Sequence, residues 1–266
     1  EAADAVMISS ASTNPRVTMN DDGTRKKWIF RACFIDPFQG SVAAKFALDN
    51  LKARTASILL DVGNDYVKGL AEFFRADFTK SGGKIEVYES YTKDDTDFSA
   101  LLTKVREAGS DLLFVPDYYN KVALIAKQAR QFGIGSIMMG GDGWDSPEML
   151  KIAGDAIIGS YFTNHYSSDD PRPEVQDWVR KYQTKHGSKP DALATLAYDA
   201  TLLMIEALRK AQSDDPVVVR EALQALKGFP CVSGSISFDA SGNPIKSAVI
   251  LQYTQAGQEY VATVAP

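Results

Sequence analysis

The sequence predicts an α/β protein built as two lobes, and three observations carry this. From residue 28 to about residue 163, short apolar runs of strand length alternate with helical periods. That is the pattern of βαβ units around a parallel sheet covered on both faces. After about residue 165 the character changes to three successive helical patterns and then a β-rich tail, which does not extend the first sheet simply. The length of 266 residues, 45% of them hydrophobic, suffices for one large domain or two of ordinary size.

The elements follow in order. Glu1–Ala5 has neither the basic nor the apolar region of a signal peptide; it reads as the end of a helix running into a buried strand, Val6–Ile8, so further sequence is expected upstream. Trp28–Phe34 reads as a strand, and Asp36-Pro37 as an N-cap with Pro at the first helical position, followed by Phe38, Val42, Phe46 and Leu51 at roughly helical spacing. Strands are expected at Thr55–Asp61, Lys84–Tyr91, Leu112–Pro116, Ile137–Gly140 and Ile157–Thr163. The helices between them are expected at Asp65–Thr79, after the capping pair Thr96 and Asp97, at Lys121–Phe132 and at Pro147–Ala153. The second half predicts one helix around Val175, Trp178, Val179 and Tyr182, then Ala192–Lys210 and Pro216–Leu226. Strands close the chain at Cys231–Phe238, Ser247–Tyr253 and Tyr260–Val264. Chain crossovers between the lobes are expected near residues 35, 165 and 246.

Composition removes several function classes. With 29 Lys plus Arg against 34 Asp plus Glu, a net charge of −5 and the basic residues scattered, there is no basic stripe for nucleic acid or anionic lipid. No apolar run approaches the ~20 residues that span a bilayer. Two Cys and two His leave few ligands for a zinc site. Cys33 and Cys231 could form a disulfide or remain free thiols; His165 and His186 read as surface or crossover residues. Walker A and Gly-x-Ser-x-Gly motifs are absent, and Gly133-Ile134-Gly135 lacks the third glycine of a dinucleotide fingerprint.

Ligands of open parallel sheets bind beyond the carboxyl ends of the strands. Three such ends carry Val62-Gly63-Asn64-Asp65-Tyr66, Pro116-Asp117-Tyr118-Tyr119-Asn120 and Gly141-Asp142-Gly143-Trp144-Asp145. Each offers a carboxylate and an aromatic ring, which suits a small polar ligand with a cationic end; each alone is equally an ordinary turn or cap. Ser9-Ser10-Ala11-Ser12-Thr13-Asn14-Pro15 follows the first strand, where small hydroxylated residues and backbone N–H groups can hold an anion. Together they form a complementary pair: anion on one lobe, ammonium on the other.

Met7–Pro15, Phe30-Arg31 and Asp36-Pro37-Phe38-Gln39-Gly40 resemble the first crossover of the branched-chain amino-acid (Leu/Ile/Val-type) periplasmic binding proteins, the type I solute-binding proteins of ABC transporters. The likeness continues in family order through Asp97-Phe98-Ser99, Gln128-Ala129-Arg130, Gly140–Gly143, Ala153-Gly154, Ala197-Tyr198-Asp199-Ala200 and Gly234–Asn243. The resemblance implies two lobes, residues 1–35 with 165–246 and residues 36–164 with 247–266, each a sheet flanked by helices. The first lobe would lack its N-terminal βα units. A ligand would be captured between the lobes by hinge closure, without cofactor or metal, and delivered to a membrane permease from the periplasm or, with a lipid anchor, from a Gram-positive cell surface. By the same resemblance Ala11, Ser12 and Thr13 form the carboxylate clamp, Asp142 takes the α-ammonium where the branched-chain prototype more often has Glu, and Tyr66 and Tyr118 line the cleft. Trp144, beside Asp142, is expected to set selectivity, and Leu193 is a further candidate. The alternatives are a ligand-sensing domain of the same fold, or an enzyme using Asp142 or Asp117 as a base.

Overall fold

In the computed structural model, residues 4–265 are described. They divide into two compact units: residues 4–35 with His165–Ala248 and Ala265, and Asp36–Asn164 with Val249–Val264.

The first unit opens with β1 (Met7–Ser9), paired in parallel with β2 (Ile29–Arg31). The chain then builds the second unit. It runs through α1 (Asp36–Asp49), β3 (Thr55–Asp61), α2 (Asp65–Lys80), β4 (Lys84–Tyr91), α3 (Ser99–Ala108), β5 (Leu112–Phe114), α4 (Tyr119–Gln131), β6 (Ile137–Gly140), α5 (Glu148–Ala153) and β7 (Tyr161–Asn164). It returns to the first unit for α6 (Pro173–His186), α7 (Ala192–Ala211), α8 (Pro216–Gln224) and a hairpin of β8 (Phe229–Cys231) and β9 (Gly234–Ile236). β10 (Ala248–Thr254) and β11 (Gly257–Val264) then complete the sheet of the second unit.

That sheet has the order β11-β10-β7-β6-β5-β3-β4. Its β7, β6, β5, β3 and β4 are parallel neighbours, and β10 runs antiparallel to β7. Continuous burial of β3 and β5 fits strands covered on both faces. The core includes Leu59, Leu113, Met138 and Phe162 from the sheet, Val115 just beyond β5, and Leu102 and Ile125 from the helices. On another part of the sheet Phe74 stacks on Phe114, ring centroids 3.9 Å apart.

Helices α1 and α2 lie so close that a Cβ on Gly40 would stand 2.6 Å from Phe73 Cβ and 2.8 Å from the Phe74 nitrogen. Gly40→Ala is therefore expected to destabilise the protein by about 1–3 kcal/mol, the overpacking cost exceeding alanine's better helix propensity; urea unfolding checks it.

In the first unit Phe30, Leu203, Val219, Leu223 and Phe238 form one apolar cluster, and Tyr166, Val175, Val179 and Val232 another. Cys33 and Cys231 are both buried, and no disulfide joins them. Burial, reinforced by nearby Asp199, pushes the Cys231 thiol up to about 12. His165 is buried, stacked on Phe34 with centroids 3.7 Å apart, whereas His186 ends α6 in solvent.

Lys246 is also buried, its Nζ donating to Ser233 Oγ at 2.5 Å. Desolvation lowers its ammonium from 10.5 to about 8, against the opposing pull of Asp199 and weaker interactions with Cys33 and Cys231, while Arg172 adds to the lowering. Between those pH values the unfolded chain binds more protons than the fold, so this group makes stability rise with pH across that window. At about 1.4 kcal/mol per unit, the gain approaches ~3 kcal/mol. Lys246→Met should flatten the rise, as denaturation at pH 7 and pH 10 would measure.

Several expected strands differ from those found: β5 stops at Phe114 rather than Pro116, β11 begins at Gly257 rather than Tyr260, and three others depart further. Residues Gly154–Ile157 form a 3-10 turn rather than opening β7, because the chain reverses at Gly159 with φ +83°; Ile157 is buried as a core contact, not as a strand residue. The single strand expected over Cys231–Phe238 is instead the hairpin of β8 and β9. Only Ile29–Arg31 of Trp28–Phe34 is strand, although the whole run is buried.

Candidate functional site

The carboxyl ends of β3, β5 and β6 place three acidic segments along one edge of the seven-stranded sheet. Asp61 closes the first as a turn former, its Oδ1 accepting the Gly63 N–H at 2.8 Å. Asn64 then caps α2 by accepting the Tyr66 N–H. At the end of β5, buried Asp117 accepts the Tyr91 hydroxyl at 2.6 Å on Oδ2 and the Tyr118 N–H at 2.6 Å on Oδ1. Burial raises its carboxyl above the ordinary range, although both donors oppose the shift.

Asp142 opens the short 3-10 turn Asp142–Trp144 just beyond β6 and is only 6% exposed. Its Oδ1 receives two neutral donors, Gln39 Nε2 at 2.9 Å and the Tyr66 hydroxyl at 2.8 Å. Tyr66 in turn accepts the Gly143 N–H at 3.2 Å. Its ring lies 5.3 Å from that of Tyr118, tilted 38°, and Tyr118 remains 43% exposed. Burial first, and then the charge of Asp142, hold the Tyr66 phenol well above its ordinary value; the same two causes raise Tyr118. Both phenols therefore stay protonated at neutral pH, and Tyr66 remains a donor. Only glycine fits before Asp142: a Cβ on Gly141 would stand 2.5 Å from Leu70 Cδ2, 2.7 Å from the Tyr66 hydroxyl and 3.0 Å from Gln39 Nε2.

Tyr66, Tyr118 and Asp142 are thus brought together. Trp144 departs from the expectation of a selectivity residue. Its indole is fully buried in the core of this unit, and its Nε1 donates to the Val115 carbonyl at 2.9 Å. The 3-10 turn sets the Asp142 carboxylate against Gln39 and Tyr66 and the Trp144 indole against the Val115 carbonyl and Phe162. Asp145 is held by Asn164 Nδ2 at 3.0 Å and Gln258 Nε2 at 2.8 Å.

Ala11, Ser12, Thr13 and Leu193 belong to the other unit. The Ala11–Thr13 stretch follows β1; Ser12 is exposed and Thr13 buried. Arg31, fully buried on β2, donates through Nη1 to the Ser12 carbonyl at 2.8 Å and through Nη2 to Thr18 Oγ1 at 3.1 Å. This strap fixes the loop's path. The Ser12 N–H is engaged within the loop, by Ser9 Oγ at 3.2 Å. Leu193 is the second residue of α7 and 47% exposed.

Sequence reasoning did not assign functions to Gln39 and Arg31. The signal for Gln39 was a polar residue on the buried face of a helix, directly before the close-packed Gly40. For Arg31 it was a charged residue inside an apolar strand. Among the described residues, no group of three or more His, Cys, Asp or Glu is placed to hold a metal ion.

Comparison with known proteins gives a consistent picture. A profile described as periplasmic binding protein matches residues 1–258. The Leu/Ile/Val-binding protein homolog 2 of Brucella abortus is 32% identical over 257 residues, which are 96% of this chain and 67% of that protein. A leucine-, isoleucine-, valine-, threonine- and alanine-binding protein of Pseudomonas aeruginosa is 30% identical over 90% of this chain and 62% of its own length. Among solved structures, the leucine-binding protein LivK of Thermotoga maritima superposes with a TM-score of 0.94 at 36% identity, covering 100% of this chain and 75% of that one. The substrate-binding protein LivJ of Streptococcus pneumoniae, in complex with isoleucine, gives 0.90 at 29% identity, covering 100% and 74%.

Proposed function

The chain belongs to the periplasmic binding protein family, and from that premise we propose that it captures an amino acid outside the cytoplasm for delivery to the permease of an ABC transporter. The observation that carries the ligand class is the Asp142 carboxylate, held by Gln39 and by Tyr66, whose ring pairs with that of Tyr118. Gln39 and Tyr66 orient the carboxylate by hydrogen bonds, and a carboxylate set beside aromatic rings suits an α-ammonium group. The Ser12 and Thr13 segment is assigned to the α-carboxylate, as the family resemblance expects. A zwitterion held away from water needs both charges compensated, because an isolated buried charge costs several kcal/mol.

The work is binding, not turnover. The ligands named for the relatives, leucine, isoleucine and valine among them, favour a branched aliphatic amino acid here. The unit holding β1, β2 and α6–α8 is read as the N-terminal-type lobe, and the seven-stranded unit as the C-terminal-type lobe. No helix among the described residues is long and apolar enough to cross a membrane. The reading places the protein in the periplasm, or on a lipid anchor in a Gram-positive source.

A thermal-shift screen of this chain against the individual amino acids tests the proposal. A ligand present at 100 times its Kd stabilises the fold by about 2.7 kcal/mol, so branched aliphatic amino acids should raise the melting temperature in a concentration-dependent way. No shift with any amino acid would overturn the ligand class.

A further inference from the structure

We propose that Gln39 is a positioning residue: it sets the orientation of the Asp142 carboxylate and through it the preference for ligands that carry an ammonium group. The inference rests on reading Asp142 as the ammonium acceptor.

Gln39 lies in the first turn of α1 with its side chain fully buried. Its Nε2 donates to Asp142 Oδ1 at 2.9 Å and to Thr163 Oγ1 at 2.8 Å, so both amide protons are used. The opposite amide orientation would turn a carbonyl oxygen onto a carboxylate, which settles the assignment of nitrogen and oxygen. Thr163 belongs to β7 and fixes Gln39 from the sheet side; Tyr66, on α2, meets the same Oδ1 from the other side at 2.8 Å. Two donors, each from a different helix, thus meet on one carboxylate oxygen.

Three details separate this role from simple packing. Gln39 Oε1 is buried without a hydrogen-bond partner among the described residues, a cost that an apolar side chain of equal size would avoid. The Gln39 amide and the Tyr66 hydroxyl are both neutral, so what they give Oδ1 is direction through hydrogen bonds and not an opposite charge. And the two donors converge where Gly141 has no side chain, the Gln39 nitrogen standing 3.0 Å from the place of the missing Cβ. The backbone next to Asp142 is cut away to admit them.

The test uses titration calorimetry on the full chain with two probes, L-leucine and 4-methylpentanoate, which is leucine without its amino group. Gln39→Leu should weaken leucine binding about 10-fold or more, the loss expected for a hydrogen bond to a charged group, and leave 4-methylpentanoate within about twofold. A purely structural role would weaken both alike, and that result overturns the proposal. In an Asp142→Ala background Gln39→Leu should no longer change the ratio of the two affinities, since a residue acting through another is silent once that other is gone; an undiminished effect also overturns it.

A crystal structure of Gln39→Leu supplies a readout that needs no ligand. Asp142 should leave its single rotamer, and an unmoved carboxylate would refute the positioning role. If the unsubstituted protein binds leucine and 4-methylpentanoate equally, the ammonium reading of Asp142 falls, and the rotamer result still decides whether Gln39 positions the carboxylate.

Discussion

Asp142→Ala is expected to weaken binding of an α-amino acid by roughly 3–5 kcal/mol, the range for removing one partner of a buried charge pair. The carboxylate is 6% exposed and fixed by Gln39 and Tyr66. Its removal would leave the ligand ammonium facing two donors, Gln39 Nε2 and the Tyr66 hydroxyl, that have just lost their acceptor. Because the phenol of Tyr66 is raised well above its ordinary value by burial and by Asp142, it cannot substitute as an anion at neutral pH. Titration calorimetry with L-leucine reads the loss directly, and an unchanged affinity would exclude Asp142 from the site. Ligands lacking an amino group should be far less affected, which separates charge recognition from general damage.

Trp144→Ala is expected to destabilise the seven-stranded unit by about 3–5 kcal/mol, the usual cost of emptying a large aromatic position. The indole is fully buried, packed with Phe162 and the rest of the core, and its loss would also leave the Val115 carbonyl without the 2.9 Å bond from Nε1. The Trp144 carbonyl is separately tied to the Tyr253 hydroxyl at 2.6 Å, a bond the substitution does not remove in itself. Urea unfolding followed by circular dichroism measures the effect. The ratio of affinities for aliphatic and aromatic amino acids should stay near that of the parent, since the ring is fully buried in the core. A stable variant with altered ligand preference would show that the indole does face the ligand.

The elements legible in the sequence were those whose apolar run and boundary signals coincide. Thr55–Asp61, Lys84–Tyr91 and Ile137–Gly140 are strands over those same residues, each ended by a turn or a cap. Ile157 shows the opposite case. Hydrophobic pattern reports burial, and a buried isoleucine in a 3-10 turn looks like the start of a strand until Gly159 reverses the chain. The hairpin of β8 and β9 is a different case: Ser233-Gly234-Ser235 carries a turn signal, but strands of three residues are too short for an alternating pattern to show two of them.

The candidate site divides in the same way. Parallel strands bring their carboxyl ends to one edge, so the order of elements alone placed Tyr66, Tyr118 and Asp142 on a common rim. Which of those side chains turn outward depends on turn geometry and on neighbours far away in the chain. Gln39 lies 103 positions from Asp142 and 124 from Thr163, and no local pattern encodes such a meeting. Arg31, as an isolated charge in an apolar strand, could be noticed but not explained until its bonds to the Ser12 carbonyl and Thr18 were seen.

By itself, then, the sequence determined the α/β class, the alternation of strands and helices, the family, and the set of residues available at the strand ends. Those follow from periodicity and residue type, which are local. Tertiary structure alone decided that Asp142 is held by Gln39 and Tyr66, that the Trp144 indole is buried in the core, and that Gly40 and Gly141 are required by close approach. Side-chain direction at a strand end is set by packing and hydrogen bonds between distant segments, and those exist only once the chain has folded.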